Sequence, residues 1–491
     1  MIEYRYGHTP DKYNIAGKLF MDSVKLKLSD KAPKGLKKFF YTDVYLVVLV
    51  AVVYLTWYTK EIFWGFLAGS VLAGIALIVV DDFKPMLPVA LYAPAMFAMK
   101  DPTEYFICLT GAIPLMAGLV FHLIYYRPER KKMRMLIPQL LIAAAMLLGG
   151  AGVIAKENYL GTLAYTLMLG FLPLIFYLLF ALYGKEDRGF TSIGKYTAKT
   201  FTWYGILIGM EIITLYVVNK PPFELWGRGF VIDAGWSIDN NLATILLLAS
   251  PMGFYLALTE KQKLLYTVLG IINFCFTVLT FSRGGILFGT IMAALTAIYA
   301  MIKCKGRVRL KIVIPVAAVV VAILTVYFLN MNELNAYIAR LANVGDKTIS
   351  GRDKLYAEAI ECFRNNPIFG AGMGFDGEYY AQPEGMYFYW FHSTLFQIIG
   401  STGAVGIVAF AIFYAVRYGI VFRRIRSNLF AQFALLSFLG FEAYSMMDTG
   451  TFIPYPIMVM AMLLTLAVER TNEVAALAPS DKRGLYYGES Y

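Results

Sequence analysis

Fourteen segments of the chain are apolar over lengths that suit a lipid bilayer. A spanning helix needs about 20 mostly apolar residues, and its backbone polar groups must be bonded within the helix itself. The third segment is short and holds three prolines, which predicts a kink or a re-entrant turn. We therefore predict an all-α polytopic membrane bundle with about 14 helices, within a range of 12 to 14. The segments are roughly 41–59, 61–80, 85–99, 105–126, 135–155, 159–183, 200–218, 240–259, 263–281, 284–302, 311–330, 393–421, 428–446 and 451–468.

The composition excludes several other classes of protein. Only 16% of the residues are charged, whereas an ordinary soluble domain has about 25%. The four cysteines form neither a CxxC pair nor a zinc spacing, which argues against a disulfide scaffold or a zinc module. The net charge of +11 does not indicate nucleic-acid binding, because the basic residues of membrane proteins collect in cytoplasmic loops.

The distribution of lysine and arginine predicts the orientation. With the N-terminus inside, 33 of the 44 basic residues fall on the inner side and 11 on the outer side. This asymmetry predicts cytoplasmic termini and a long extracytoplasmic loop. The predicted organisation is a basic cytoplasmic tail, a transmembrane bundle, the loop with short helices, the C-terminal spans and a second cytoplasmic tail, over 1–40, 41–330, 331–392, 393–468 and 469–491.

Within the long loop, an amphipathic helix is predicted from Arg352 to Asn365. Its apolar residues recur at helical spacing and define one face. Asn366 and Pro367, with the glycines after them, end the helix. The predicted apolar face consists of Leu355, Tyr356, Ala359, Ile360 and Phe363.

Histidine is scarce, and His392 is the one predicted to face outward. It stands where the long loop enters the twelfth segment, among aromatic residues. It is either an interfacial residue of an aromatic belt or a general base, the usual role of histidine near neutral pH. His122 lies inside a span and is interpreted as a packed polar residue, and His8 lies in the N-terminal tail.

Two outward-facing arginines are candidate anion ligands. Arg283 stands at an outer turn before Gly284 and Gly285, and Arg352 begins the loop helix. The alternatives are snorkelling of Arg283 to lipid phosphate and a solvated helix end for Arg352. A guanidinium group binds phosphate through two parallel hydrogen bonds and stays charged, so both arginines suit a pyrophosphate.

Weaker signals flank these residues. Gly370 and Gly372 form a Gly-Ala-Gly turn that is either a tight turn or a backbone anion nest. The aromatic residues that follow are either a membrane-interface belt or a platform for sugar stacking. These residues are Tyr379, Tyr380, Tyr387, Phe388, Tyr389, Trp390 and Phe391.

Three carboxylates lie in predicted spans, where such groups are costly and are usually functional or paired. Glu211 lies in the seventh span, and Glu442 and Asp448 are placed at the outer half of the thirteenth. We treat Glu442 and Asp448 as possible supporting residues. The sequence shows no metal-ligand cluster on the predicted outer face, so we expect neither a metal nor another cofactor.

Three short motifs occur in order around the loop. They are Ser282-Arg283-Gly284-Gly285, then Gly351-Arg352 leading to Pro367 and the Gly370–Gly372 turn, and His392-Ser393-Thr394-Leu395-Phe396-Gln397. Together they closely resemble the bacterial O-antigen ligase and O-antigen polymerase superfamily, over about residues 240–470. Ser393 departs from the pattern, because many members have asparagine after the histidine.

This resemblance implies a function. It implies a GT-C-like fold with about twelve spans and an inverting, metal-independent glycan transfer. The donor would be an undecaprenyl-pyrophosphate-linked glycan, and the acceptor a glycan or lipid-linked sugar hydroxyl. The reaction would take place among membrane lipids at the outer face of the bacterial cytoplasmic membrane. His392 matches the histidine proposed to activate the acceptor, Arg352 the loop arginine, and Arg283 an arginine near the pyrophosphate.

Three alternatives remain open from the sequence. Ligase and polymerase activities are not separated by any feature of the chain. A flippase or transporter of lipid-linked oligosaccharide would place charges along a path between both faces, whereas here they gather on the outer side. A non-catalytic membrane scaffold is the third alternative.

Overall fold

The computed structural model describes residues 32–97, 108, 110–129, 131–156, 158–185, 191–222, 230–304, 306–332, 335, 352–377, 388–448, 450–452 and 456–471. Predictions for most of both tails, including His8, lie outside these residues. The same holds for Gly351 and for Tyr379, Tyr380 and Tyr387 of the loop.

The described chain is helical, and its single isolated backbone bridge joins Asp233 and Ile238. The helices are α1 Lys34–Phe39, α2 Asp43–Thr59, α3 Ile62–Val79, α4 Met86–Tyr92, α5 Ile113–Tyr125, α6 Leu136–Leu148, α7 Tyr159–Tyr165, α8 Leu172–Tyr183, α9 Ile193–Asn219, α10 Asp239–Thr259, α11 Lys263–Leu279, α12 Arg283–Lys303, α13 Arg307–Leu329, α14 Arg352–Asn365, α15 Thr394–Arg424, α16 Leu429–Ser445 and α17 Ile457–Arg470.

Each predicted span contains helix, although the number of spans stays a prediction. Among the described residues, seven helices are long and apolar enough to cross a membrane, judged by length and composition alone. The proline-rich third segment forms the short helix α4, which continues as a 3₁₀ turn over Ala93–Met96. The chain is therefore a polytopic helical membrane protein.

Two compact units make up the chain. The first comprises the described parts of Met1–Lys132, Leu178–Thr191 and Ala234–Trp236, and within it α3 packs against α5. His122 of this unit is fully buried, with Nδ1 2.9 Å from the carbonyl oxygen of Leu77. This placement agrees with the interpretation of His122 as a packed polar residue.

The second unit is built around α10. Every residue from Leu242 to Leu258 is buried, and α9, α11, α12 and α16 pack around this helix. Glu211, on α9, is fully buried. In the same unit, α15 packs against both α6 and the loop helix α14. This packing joins the segment that carries His392 to the helix that begins with Arg352.

Candidate active site

A cavity of about 340 Å³ lies in the second unit. Helices α10, α12 and α14 begin at this cavity, and α16 ends beside it. Two arginines and two aspartates line it together with neutral polar and apolar groups, so it can accommodate a charged, partly apolar ligand. The lining residues are Asp239, Asn240, Phe281, Ser282, Arg283, Gly284, Arg352, Tyr444, Met447 and Asp448.

The carboxylate of Asp448 connects two of the predicted site residues. Its Oδ1 lies 3.4 Å from Nδ1 of His392, and its Oδ2 lies 3.7 Å from Nη2 of Arg352. Arg352 also donates a hydrogen bond to the carbonyl oxygen of Met447. The Asp448 side chain is only 6% exposed, so little water competes for it. The sequence prediction named Asp448 only as a possible supporting residue, and the structure gives it this central position.

Backbone and side-chain hydrogen bonds hold the segment around His392. The amide of Gln397 donates from Nε2 to the carbonyl oxygen of Tyr389 over 2.9 Å, and its Oε1 accepts from the backbone N–H of Phe391 over 2.9 Å. The N–H of Thr394 donates to the carbonyl oxygen of Asp448 over 3.2 Å. His392 itself has a left-handed backbone, with φ of 50°. The imidazole is therefore presented by a fixed turn at the start of α15.

Tyr356 of α14 supports the same turn from the other side. Its phenol donates to the carbonyl oxygen of His392 over 3.3 Å, and its ring stacks on Phe396 with centroids 4.1 Å apart. Burial raises the pKa of the Tyr356 phenol, while Arg352 opposes the rise and Asp448 adds to it. The phenol consequently stays protonated near neutral pH and remains a hydrogen-bond donor.

Helix α14 has the predicted bounds but a partly different buried face. Leu355 and Ala359 are buried as predicted, and Phe363 is half-buried. Ile360, which belongs to the predicted apolar face, is 39% exposed. Cys362 is buried instead, because the cluster formed with Tyr389 and Phe391 follows the ridge i, i+4, i+7 of the helix.

The Gly370 and Gly372 turn is a packing element and not an anion nest. Gly370 N–H bonds to Asn366, while Ala371 and Gly372 donate to the carbonyl oxygens of Gly400 and Ser401, over 2.8 Å and 2.9 Å. Because these N–H groups already have carbonyl partners, they do not point at a ligand. The contact needs glycine at position 370, since a Cβ on Gly370, whose φ is +64°, would lie 2.6 Å from the Gly400 oxygen. It also needs glycine at position 403, where a Cβ would lie 2.6 Å from the backbone nitrogen of Gly370.

Arg283 is the first residue of α12. Its neighbour Ser282 caps this helix and accepts a hydrogen bond from the N–H of Gly285 over 3.3 Å. Arg283 is exposed and lines the cavity. Within the described part of the chain Arg283 forms no ion pair, whereas Arg352 is already engaged by Asp448. The two predicted arginines are thus brought to one cavity in different electrostatic settings.

Glu442, the second possible supporting carboxylate, has another environment. It forms an ion pair with Arg417 of α15, whose side chain is 1% exposed and lies against four aromatic rings. Glu442 is absent from the cavity lining. Its local role is to join α15 to α16, which explains a carboxylate in an apolar helix without a ligand.

Sequence reasoning missed Asp239, Asn240 and Tyr444 as lining residues. Asp239 and Asn240 begin α10, and Tyr444 is the next-to-last residue of α16. In the sequence they are recognisable only as polar residues at the ends of apolar segments. Such residues are common in membrane proteins, so this pattern does not identify a site. In the residues the structure describes, no group of three or more histidine, cysteine or acidic side chains could hold a metal ion.

Comparison with known proteins gives one family. Residues 268–411 match the family model described as O-antigen ligase. The match includes Arg283, Arg352 and His392, and it ends before Asp448. A search of curated proteins found no match to the chain.

Proposed function

From the membership of this chain in the O-antigen ligase and polymerase superfamily, we propose that it is an inverting membrane glycosyltransferase. It moves a glycan from an undecaprenyl-pyrophosphate carrier to a sugar hydroxyl at the outer face of the bacterial cytoplasmic membrane, without a metal. The observation that supports this most strongly is the carboxylate of Asp448. This group contacts both His392 and Arg352 beside a cavity that Arg283 also lines.

The proposed base is His392. Nδ1 lies beside Asp448, and we assign the other ring nitrogen, Nε2, as the atom that accepts the proton of the acceptor hydroxyl. The hydroxyl oxygen attacks the anomeric carbon, its proton passes to Nε2, and the imidazolium that forms is stabilised by the Asp448 carboxylate. Such a carboxylate also fixes the tautomer that keeps Nε2 unprotonated before reaction. The proton leaves to solvent after the product departs.

The proposed leaving group is the lipid pyrophosphate. As the bond from the anomeric carbon to the phosphate oxygen breaks, its electron pair stays with the pyrophosphate. The guanidinium groups of Arg283 and Arg352 stabilise this growing negative charge. Arg283, which forms no ion pair in the described part of the chain, meets the phosphate with its full charge. Arg352 lies beside the Asp448 carboxylate, which partly neutralises its charge. Because Asp448 also contacts His392, Arg352 connects the group that binds the pyrophosphate with the proposed base.

Reconstituted protein can test this proposal. The purified chain is placed in liposomes with a lipid-pyrophosphate glycan and a glycan acceptor. Formation of free lipid pyrophosphate together with an enlarged acceptor is the expected result, with an anomeric configuration opposite to that of the donor. The same assay with EDTA examines the expected metal independence.

Other outcomes distinguish the alternatives. Movement of intact donor between leaflets without bond cleavage would make the protein a transporter. Neither movement nor cleavage with any donor of this class would favour a scaffold. A growing chain that stays on its carrier indicates a polymerase, and transfer to a different acceptor indicates a ligase.

A further inference from the structure

Tyr444 is a buried tyrosine at the wall of the cavity, and its phenol links three helices. The phenol oxygen lies 2.9 Å from Oγ of Ser282 at the start of α12. It also donates a hydrogen bond to Oδ1 of Asn240 at the start of α10, over 3.1 Å. Tyr444 itself belongs to α16 and is 2% exposed. Since these helices all reach the cavity, a change at the phenol acts on the shape of the cavity wall.

The hydrogen bonds form a chain with one direction. The N–H of Gly285 donates to Oγ of Ser282, and the phenol proton of Tyr444 goes to Asn240. Because the phenol proton is already donated to Asn240, the hydrogen bond between Ser282 and Tyr444 must use the hydroxyl proton of Ser282, with the phenol oxygen as acceptor. Every member therefore has a defined role, and hydrogen bonds in such a buried chain reinforce one another.

The ring of Tyr444 also fixes the turn that carries Arg283. It lies directly against Gly284, where an added Cβ would come within 2.1 Å of the tyrosine ring. Gly284 follows Arg283, and Ser282 precedes it. Tyr444 thus contacts both neighbours of the arginine, by a hydrogen bond on one side and by ring packing on the other.

We propose that Tyr444 is a positioning residue for Arg283: its phenol holds the cap of α12 so that the guanidinium group is preorganised for the carrier pyrophosphate. The phenol is not the group that binds the phosphate, because its donor and acceptor capacities are taken by Asn240 and Ser282. This inference rests on the proposed function, since it names the pyrophosphate as the ligand of Arg283.

Tyr444→Phe is the sharpest variant, because it keeps the ring against Gly284 and removes only the hydroxyl. We expect the KM for the lipid-pyrophosphate donor to rise about fivefold to tenfold, the equivalent of one typical net hydrogen bond. We expect kcat to fall as well, by about threefold to tenfold, because Arg283 also stabilises the leaving group in the transition state. Ser282→Ala should have the same effect, and Ser282→Thr, which keeps a hydroxyl, should restore most of the affinity.

Tyr299→Phe is the matched control. The Tyr299 phenol donates to Oε1 of Gln432 over 2.6 Å, and neither residue lines the cavity. This variant also loses a phenol hydroxyl, with the hydrogen bond that it donates, and its KM for the donor should stay within about twofold of wild type. An equal rise in KM for the two tyrosine variants would mean that general loosening of the bundle is responsible, and it would overturn the inference.

A double-mutant cycle tests whether Tyr444 acts through Arg283. In an Arg283→Ala background, Tyr444→Phe should raise the KM by less than about twofold, since the group it positions is gone. Independent losses that multiply would contradict the positioning role. Wild-type protein that neither binds nor cleaves the lipid pyrophosphate would refute the proposed function itself. Active wild type with an unaltered Tyr444→Phe variant would refute the inference alone.

Discussion

The Oδ1 atom of Asp448 lies 3.4 Å from Nδ1 of His392, although Asp448 comes 56 positions after the histidine in the sequence. Asp448 follows α16, and His392 precedes α15. The backbone adds a second link, because the N–H of Thr394 donates to the Asp448 carbonyl oxygen over 3.2 Å. The relative positions of the two side chains are therefore set at both backbone and side-chain level.

Replacing His392 with alanine should remove most glycan transfer. The loss of a general base lowers rates by about 10²-fold to 10⁴-fold. Binding of the lipid carrier should stay near normal, because the pyrophosphate is assigned to the arginines. Measured kcat and donor affinity of the purified variant check this. Near-normal transfer near neutral pH would refute the base assignment, and the histidine would then be an interfacial residue.

Replacing Arg283 or Arg352 with alanine should lower both turnover and carrier binding. Removal of one preorganised charge donor costs about 10²-fold to 10³-fold in rate, and the donor already carries its pyrophosphate in the ground state. Lysine at either position should rescue only in part, since it keeps the charge and loses the two-pronged geometry. Full activity of both lysine variants would show that charge alone is required.

Asp376 provides a test of the orientation. It is exposed, and it lies in the segment predicted to face the extracytoplasmic side. In a cysteine-free background, Asp376→Cys should react with a membrane-impermeant maleimide in intact cells. Labelling that occurs only after lysis would reverse the topology and would also remove the site from the outer face.

Cys362 should resist alkylation in the folded protein. Burial raises the pKa of its thiol to about 12, and Glu358 and Glu361 add to the rise. At pH 8 only about one thiol in 10⁴ is then the reactive thiolate, and the fraction grows as the pH rises. A variant that keeps Cys362 alone should label slowly until it is unfolded in detergent. Fast labelling of the folded protein at pH 8 would contradict the packing of α14.

Local patterns in the sequence predict much of this fold and part of the site. Apolar length predicts the helices, and turn residues predict the end of α14 at Asn365. Motif order picks out Arg283, Arg352 and His392. The pairing of Glu442 with Arg417 and that of Asp448 with His392 depend on which helices are neighbours. Glu442 and Asp448 are six positions apart and look alike in the sequence. Only the packing of the helices shows that Glu442 joins α15 to α16 and that Asp448 lines the cavity.

The positive φ of His392, 50°, lowers the thermal stability of the protein. A left-handed backbone costs a residue other than glycine about 1–2 kcal/mol. Glycine would avoid this cost at position 392, but it has no imidazole. At this residue, catalytic activity requires histidine, whereas the backbone conformation favours glycine. The inactive variant His392→Gly should therefore have a higher melting temperature than the active protein, as expected where activity is maintained at the expense of stability.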